Sequence, residues 1–279
     1  MPSRRTFIAA ACCLLALAGT SCATVEPQGS SIIQRTVAVA TPDGSADALL
    51  LYPSSRGGHW PAVIVWTDGA GLRPAYSDIG RKLAEEGFVV LIPNAFFRTV
   101  KLDGSTPAPV LPADQARERS TRWRAAASEE AIMRDTKAYV AFLDGQPQTA
   151  SGSKVGTLGF DYGTASAFHA ARALPDRVAA VAAIHPAGTA TPRPNSPHLF
   201  VNQSKAAYYV VLGENDDIRE PGDKDDYNKA FAEAGLHGTV EVSRANHGFA
   251  LPDDPAYDAA ASAAAWSRAL DLLRTRLGG

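Results

Sequence analysis

The chain has 279 residues, 46% of them hydrophobic, so it is long enough to enclose a full hydrophobic core. Its formal net charge of −2 at pH 7 excludes the strongly basic surfaces that bind nucleic acid or an anionic membrane. We therefore expect one globular domain with no nucleic-acid partner, and these numbers leave the oligomeric state open.

The first 23 residues are predicted to be a twin-arginine signal peptide and not part of the fold. Arg4 and Arg5 precede an apolar run over 8–18, which is too short to span a bilayer. If the signal peptide is cleaved after Ala23, we expect a soluble exported protein, periplasmic or secreted. The alternative is a lipoprotein, which meets the membrane only through lipidation of Cys22.

All three cysteines lie in this segment, at Cys12, Cys13 and Cys22. The mature domain is therefore predicted to have neither a disulfide nor a thiol nucleophile. Residues 24–30 are interpreted as a short linker, and residues 31–279 as one domain.

From residue 31 onward, extended segments alternate with helical ones. Segments 32–40 and 48–52 flank a turn at 42–44 and predict an antiparallel hairpin at the edge of a sheet. Further strands are predicted at 61–66, 88–92, 155–160, 178–184, 206–212 and 239–243. Helices are predicted after residue 75 up to Gly87, from Ser128, and over 165–173, 224–234 and 266–277. This alternation predicts an α/β fold, in which a mostly parallel central sheet has helices on both faces.

Residues 93–127 interrupt the alternation. Prolines at 107, 109 and 112 predict that no regular element forms here, and several arginines surround Trp123. A loop of this length is usually functional or mobile. It either folds over the carboxyl ends of the strands as a small lid or runs over the surface in solvent.

The segment 159–163 reads Gly-Phe-Asp-Tyr-Gly and joins a predicted strand to a predicted helix. In such a turn the residues two before and two after the centre must be small, because the backbone bends sharply there. The bend presents Asp161 at the sheet edge, beside the positive end of the following helix.

Four chemistry-bearing residues each follow the carboxyl end of a predicted strand: Asp68, Asp161, Asp216 and His247. The carboxyl ends of parallel strands meet at one edge of a sheet, where ligands bind, so we expect these side chains to converge. Asp216 would then accept a hydrogen bond from His247 and fix its tautomer, and His247 would act as general base. The chain order of elbow residue, acid and histidine is that of α/β-hydrolases.

Segments 159–163, 213–216 and 246–250 together resemble the three signature segments of the dienelactone hydrolase family. The resemblance implies a compact α/β-hydrolase fold without a large cap domain, and cofactor-independent hydrolysis of small lactones or other esters. It carries Asp216 and His247 over as triad members. Asp68 matches an acidic position that contacts the nucleophile, and Arg98 resembles an arginine that meets an anionic substrate.

The elbow departs from this family, which carries cysteine or serine where this chain has Asp161. A carboxylate attacks an sp³ carbon bearing halide or epoxide oxygen more productively than an ester carbonyl. Backbone N–H groups of Gly69 and Tyr162 would hold the oxyanion when the resulting ester is hydrolysed. The elbow also resembles that of epoxide hydrolases and haloalkane dehalogenases, over this motif alone.

Three hypotheses follow for the function. In the first, Asp161 is the nucleophile of a hydrolase that acts on an ester-like, carbon–halogen or epoxide substrate. In the second, His247 and Asp216 activate water directly on an acyl substrate. In the third, the exported protein binds a ligand without turnover. The six histidines show no paired metal-ligand spacing, so we predict no metal, and His185 is expected to be a satisfied structural residue.

Overall fold

The computed structural model describes residues 31–55 and 57–278. The predicted signal peptide (1–23) and linker (24–30) lie outside the described residues, so export stays a prediction. The described strands are β1 Ile32–Thr41, β2 Gly44–Pro53, β3 Ala62–Trp66, β4 Val89–Pro93, β5 Val155–Phe160, β6 Val178–Ile184, β7 Ala207–Leu212 and β8 Gly238–Val242. The described α-helices are α1 Pro74–Glu85, α2 Ala113–Arg124, α3 Glu129–Asp144, α4 Gly163–Ala173, α5 Glu214–Arg219, α6 Asp223–Glu233 and α7 Ala259–Leu277.

The strands form one sheet in the order β1-β2-β4-β3-β5-β6-β7-β8. The β1–β2 hairpin and the β2–β4 pair are antiparallel, and every other pairing in the sheet is parallel. Because β3 and β5 are buried along their whole length, they tolerate only apolar or internally bonded side chains. The indole N–H of Trp66 accordingly donates to Thr157 Oγ1 at 2.8 Å. The predicted α/β class and mostly parallel sheet are confirmed.

Helices cover both faces of the sheet and form two apolar cores. One core contains Tyr139 of α3, Phe168 of α4 and Phe231 of α6. The core on the other face contains Ile79 of α1 and Leu273 of α7. Because both faces of the sheet are covered by apolar cores, we expect polar functional residues in the segments at the carboxyl ends of the strands.

The long segment between β4 and α3 contains a helix that the sequence prediction missed. Its prolines at 107, 109 and 112 all precede α2, and Pro112 occupies the N-cap position. The prediction that no regular element forms over 93–127 is therefore wrong for 113–124. Two further short helices were missed, α5 and a 3₁₀ helix over Pro197–Gln203. Among the described residues, no helix is long and apolar enough to cross a membrane.

Candidate active site

The elbow between β5 and α4 has the strained backbone that its glycines predict. Asp161 has φ +49°, in the left-handed region that side chains with a Cβ rarely adopt. A Cβ on Gly159 would lie 2.5 Å from the carbonyl oxygen of Gly163, and a Cβ on Gly163 would lie 2.5 Å from that of Thr67. Both glycines are therefore needed for close backbone approach, which lifts the Asp161 side chain above the end of the sheet.

His247 lies between two carboxylates, one from the elbow and one from α5, the short helix that follows β7. Its Nε2 is 3.2 Å from Asp161 Oδ1, and its Nδ1 is 2.8 Å from Asp216 Oδ2. The backbone N–H of His247 donates to Asn215 Oδ1 at 2.7 Å, which fixes the loop that carries it. Three segments far apart in sequence thus meet as the strand ends predicted.

The two carboxylates make His247 a strong base. Burial alone would lower the pKa of His247, but its hydrogen bonds to Asp161 and Asp216 raise that pKa to about 10. Burial would likewise raise the pKa of Asp216, but hydrogen bonds from His247 and Arg219 lower it below its ordinary value. His247 is consequently an imidazolium at neutral pH, held between two acceptors.

The loop after β3 approaches the elbow from the other side. The backbone N–H of Gly69 donates to Asp161 Oδ2 at 3.3 Å, so both oxygens of the elbow carboxylate are held. Tyr162 stands at the N-cap of α4, and among the described residues its N–H has no protein acceptor. The Gly69 N–H thus lies beside a carboxylate oxygen of Asp161, and the Tyr162 N–H belongs to the next residue of the chain.

Asp68 is buried, and its carboxylate is paired with an arginine. Both of its oxygens accept hydrogen bonds from Arg73, at 2.7 and 2.9 Å, and Arg73 also binds Asp253. Burial raises the pKa of Asp68, the charge of Asp161 adds to this, and the Arg73 pair opposes it. Arg73 and Asp253 were not singled out from the sequence, because nothing local marks a pair 180 positions apart.

Arg98 lies away from the elbow. Its guanidinium forms ion pairs with Asp43 and with the buried Asp135, and its face covers the Phe97 ring. Both pairs hold the β1–β2 turn against α3. The prediction that Arg98 meets an anionic substrate is not carried by these contacts, since its donors are already used.

His185 follows β6 and differs from the sequence prediction. It is fully buried with φ +39°, and neither ring nitrogen has a hydrogen-bond partner among the described residues. Its ring packs edge-to-face against that of His247, with centroids 4.8 Å apart. Burial, followed by the nearby charge of His247, lowers the pKa of His185 to about 4. It is thus a neutral, unsatisfied imidazole beside the site, where a satisfied structural histidine was expected.

A cavity of about 760 Å³ opens beside the elbow and is large enough for a small organic molecule. Phe96 and Ile132 provide apolar walls, and Tyr162, Arg124 and Arg193 provide polar ones. Arg124, at the end of α2, lines this cavity, while most residues of α2 are exposed to solvent. Within residues 31–55 and 57–278, no group of three or more histidine, cysteine or acidic side chains has a metal-binding arrangement.

An eight-stranded α/β sheet that carries an elbow residue, an acid and a histidine in this chain order defines the class of α/β-hydrolases. The family model of the dienelactone hydrolase family matches residues 46–277. The chain belongs to the dienelactone hydrolase family, and it is a hydrolase.

Relatives and solved structures agree with this assignment. A Synechocystis sp. protein, provisionally named a carboxymethylenebutenolidase, is 25% identical over 226 residues, which cover 79% of this chain and 88% of that protein. A dienelactone hydrolase-like promiscuous phosphotriesterase from metagenomic libraries has a TM-score of 0.71 at 22% identity, covering 88% of this chain and 99% of that one. Dienelactone hydrolase from Anabaena variabilis has a TM-score of 0.63 at 19% identity, with the same two coverages. The structural matches show the shared fold.

Proposed function

We propose that this hydrolase uses Asp161 as its nucleophile and acts on a small molecule with an sp³ carbon that bears halide or epoxide oxygen. The observation that carries the proposal is the position of His247, which lies between Asp161 and Asp216 and has a pKa raised to about 10. A carboxylate nucleophile needs no base to activate it. A protonated histidine is therefore compatible with attack by Asp161.

In the first step, an oxygen of Asp161 attacks the carbon and forms an alkyl ester. The bond from carbon to the leaving group breaks, and its electron pair departs on halide or on the epoxide oxygen. For an epoxide, the His247 imidazolium can donate its proton to the alkoxide that forms. For a halide, the anion leaves without needing a proton.

Ester formation prepares His247 for the second step. Once Asp161 is esterified, its negative charge is gone, and Asp216 is the remaining anionic partner of His247. The pKa of His247 falls, so the imidazolium releases its proton if it has not already done so. The neutral imidazole then takes a proton from a water molecule that attacks the ester carbonyl. N–H groups of Gly69 and Tyr162 hold the oxyanion until the alcohol leaves.

Hydrolysis of a lactone or other ester is the second candidate, and it is favoured by membership of the family and by the relative named a carboxymethylenebutenolidase. Asp161 is a poor nucleophile for such a substrate, because it would form a mixed anhydride while expelling an alkoxide. Water would instead have to be activated by His247 in the resting protein. A histidine that already holds its proton at neutral pH opposes this route.

Intact-mass analysis of His247→Ala incubated with halide, epoxide, lactone and aryl-ester panels tests the proposal. We expect a covalent adduct from a halide or an epoxide, which peptide mapping locates at Asp161. The matched control His247→Ala/Asp161→Ala should give no adduct. Ester turnover by Asp161→Ala would favour the second candidate. Absence of both adduct and turnover across all panels would favour a ligand-binding protein without activity.

A single turnover of the unmodified chain in ¹⁸O-water separates the two routes independently. If the alkyl ester forms, the alcohol of the first turnover keeps an oxygen from Asp161, and ¹⁸O enters the Asp161 carboxylate. If water attacks the substrate directly, ¹⁸O enters the product at once and Asp161 stays unlabelled. The label in the peptide that contains Asp161 decides between them.

A further inference from the structure

The side of α2 that faces the elbow carries several buried hydrogen-bond donors without partners. Among the described residues, these are the Ser120 hydroxyl, Nε and Nη1 of Arg119, and Nε of Arg124. Ser120 is 6% exposed, and its Oγ would lie 2.4 Å from a Cβ placed on Gly69. The same Cβ would lie 3.0 Å from the Tyr162 ring. The hydroxyl is therefore next to Gly69, whose N–H donates to Asp161, and close to the Tyr162 ring.

The two arginines are stacked on aromatic rings. The guanidinium carbon of Arg124 is 3.7 Å from the centre of the Tyr162 ring, and that of Arg119 is 5.0 Å from the centre of the Trp123 ring. Stacking occupies the face of a guanidinium and leaves the N–H groups at its edge available to an acceptor. Arg124 also lines the cavity beside the elbow.

Other arginines of this chain show what such an arrangement holds. Arg73, Arg98 and Arg172 are also stacked on rings, and each of them binds a carboxylate. Arg119 and Arg124 have the stacked face, but within the described residues no carboxylate lies within 4.0 Å of either. Both side chains are half-buried, and their buried N–H groups without an acceptor cost free energy, so an anion bound here would stabilise this face of α2.

We propose that the inner face of α2 is a binding site for a small anion, held by the Ser120 hydroxyl and the guanidinium groups of Arg119 and Arg124. The anion comes either from the substrate, as a carboxylate next to the reacting carbon, or from the reaction, as the halide released. This assignment rests on the proposed function only in placing the anion beside Asp161. The proposal places anion recognition on α2 and not on Arg98, whose N–H donors already bind Asp43 and Asp135.

Titration calorimetry with sodium formate and with sodium chloride tests the site without any turnover. The protein is Asp161→Asn, which removes the nucleophile and a repelling charge and so should bind either anion more tightly than the unmodified chain. Adding Arg124→Gln or Arg119→Gln should weaken binding about tenfold, because a charge-assisted hydrogen bond is lost. Arg122→Gln is the matched control, since Arg122 is exposed on the same helix.

The Ser120→Ala variant tests whether loss of anion binding could be explained by a loss of structure alone. It should weaken anion binding while leaving the melting temperature unchanged or higher, because it removes a buried hydroxyl that has no partner. Equal affinities in the α2 variants and in the Arg122→Gln control would overturn the proposal. So would the absence of binding by both anions.

Kinetics with 2-chloroacetate and its neutral analogue 2-chloroacetamide separate the two sources of the anion. If the substrate supplies it, Arg124→Gln raises KM about tenfold for chloroacetate and leaves KM for chloroacetamide unchanged. If the leaving group supplies it, the variant loses chloride inhibition equally with both substrates. Should neither compound be turned over, the calorimetry still decides the anion site, and the failure belongs to the proposed nucleophile.

Discussion

At the scale of single residues, the chemistry depends on a proton that His247 shares with two carboxylates. Replacing Asp161 with Asn removes one anionic partner, so we expect the pKa of His247 to fall by about 1 to 3. An NMR titration of the His247 ring protons measures it. Asp217→Asn is the matched control, because Asp217 pairs with Lys224 instead. An unchanged pKa in Asp161→Asn would contradict the role assigned to the elbow carboxylate.

The sequence predicted the converging residues well because each lies shortly after the carboxyl end of a strand. Asp161, Asp216 and His247 needed only strand positions to be placed together, and the structure brings them within hydrogen-bond distance. The partners of Asp68 could not be predicted, since a contact between Arg73 and Asp253 leaves no local pattern. The lack of a hydrogen-bond partner for the His185 ring could not be predicted either, because it too depends on residues far apart in the sequence.

At the scale of elements, the elbow requires its strand and helix to approach more closely than side chains permit. We expect Gly163→Ala to lower the free energy of unfolding by about 1 to 3 kcal/mol, because its Cβ would meet backbone atoms of β3 and its loop. Urea denaturation measures the loss. Gly222→Ala is the matched control, since a Cβ there meets nothing within 4 Å. Equal stability of the two variants would contradict the steric account.

Element prediction succeeded where apolar residues recur and failed where they do not. The strands and the long helices α1, α3 and α7 have buried faces that the pattern reveals. α2 buries only Ser120, so it has no apolar stripe that could mark it as a helix. α2 contacts the elbow through Arg124, which is stacked on Tyr162, and hydrophobic periodicity cannot reveal such a contact.

At the scale of the whole molecule, histidines whose pKa values are shifted in opposite directions limit stability at high and at low pH. The pKa of His247 is raised from 6.5 to about 10, so its contribution is complete below pH 6.5 and is lost as pH rises towards 10. The pKa values of His185 and His169 are lowered to about 4, mainly by burial, so stability is lost as pH falls from 6.5 to 4.

We therefore expect the free energy of unfolding to be greatest near pH 6.5, measured by denaturant titration at a series of pH values. His247→Gln should flatten the alkaline side of this curve. His185→Phe, which keeps the ring packing but cannot be protonated, should flatten part of the acid side. An alkaline slope that is the same with and without His247 would contradict the assignment.

Arg73 joins Asp68, in the loop after β3, to Asp253, six residues beyond His247. Part of the reaction centre is thus fastened by a residue that the ribosome adds after both the elbow and His247. A nascent chain halted between Asp161 and His247 would have the first strands and the elbow but would lack both His247 and the Arg73–Asp253 ion pair. Activity should consequently arise in one step, once residues 247 and 253 are both present and folded, and not grow in proportion to chain length.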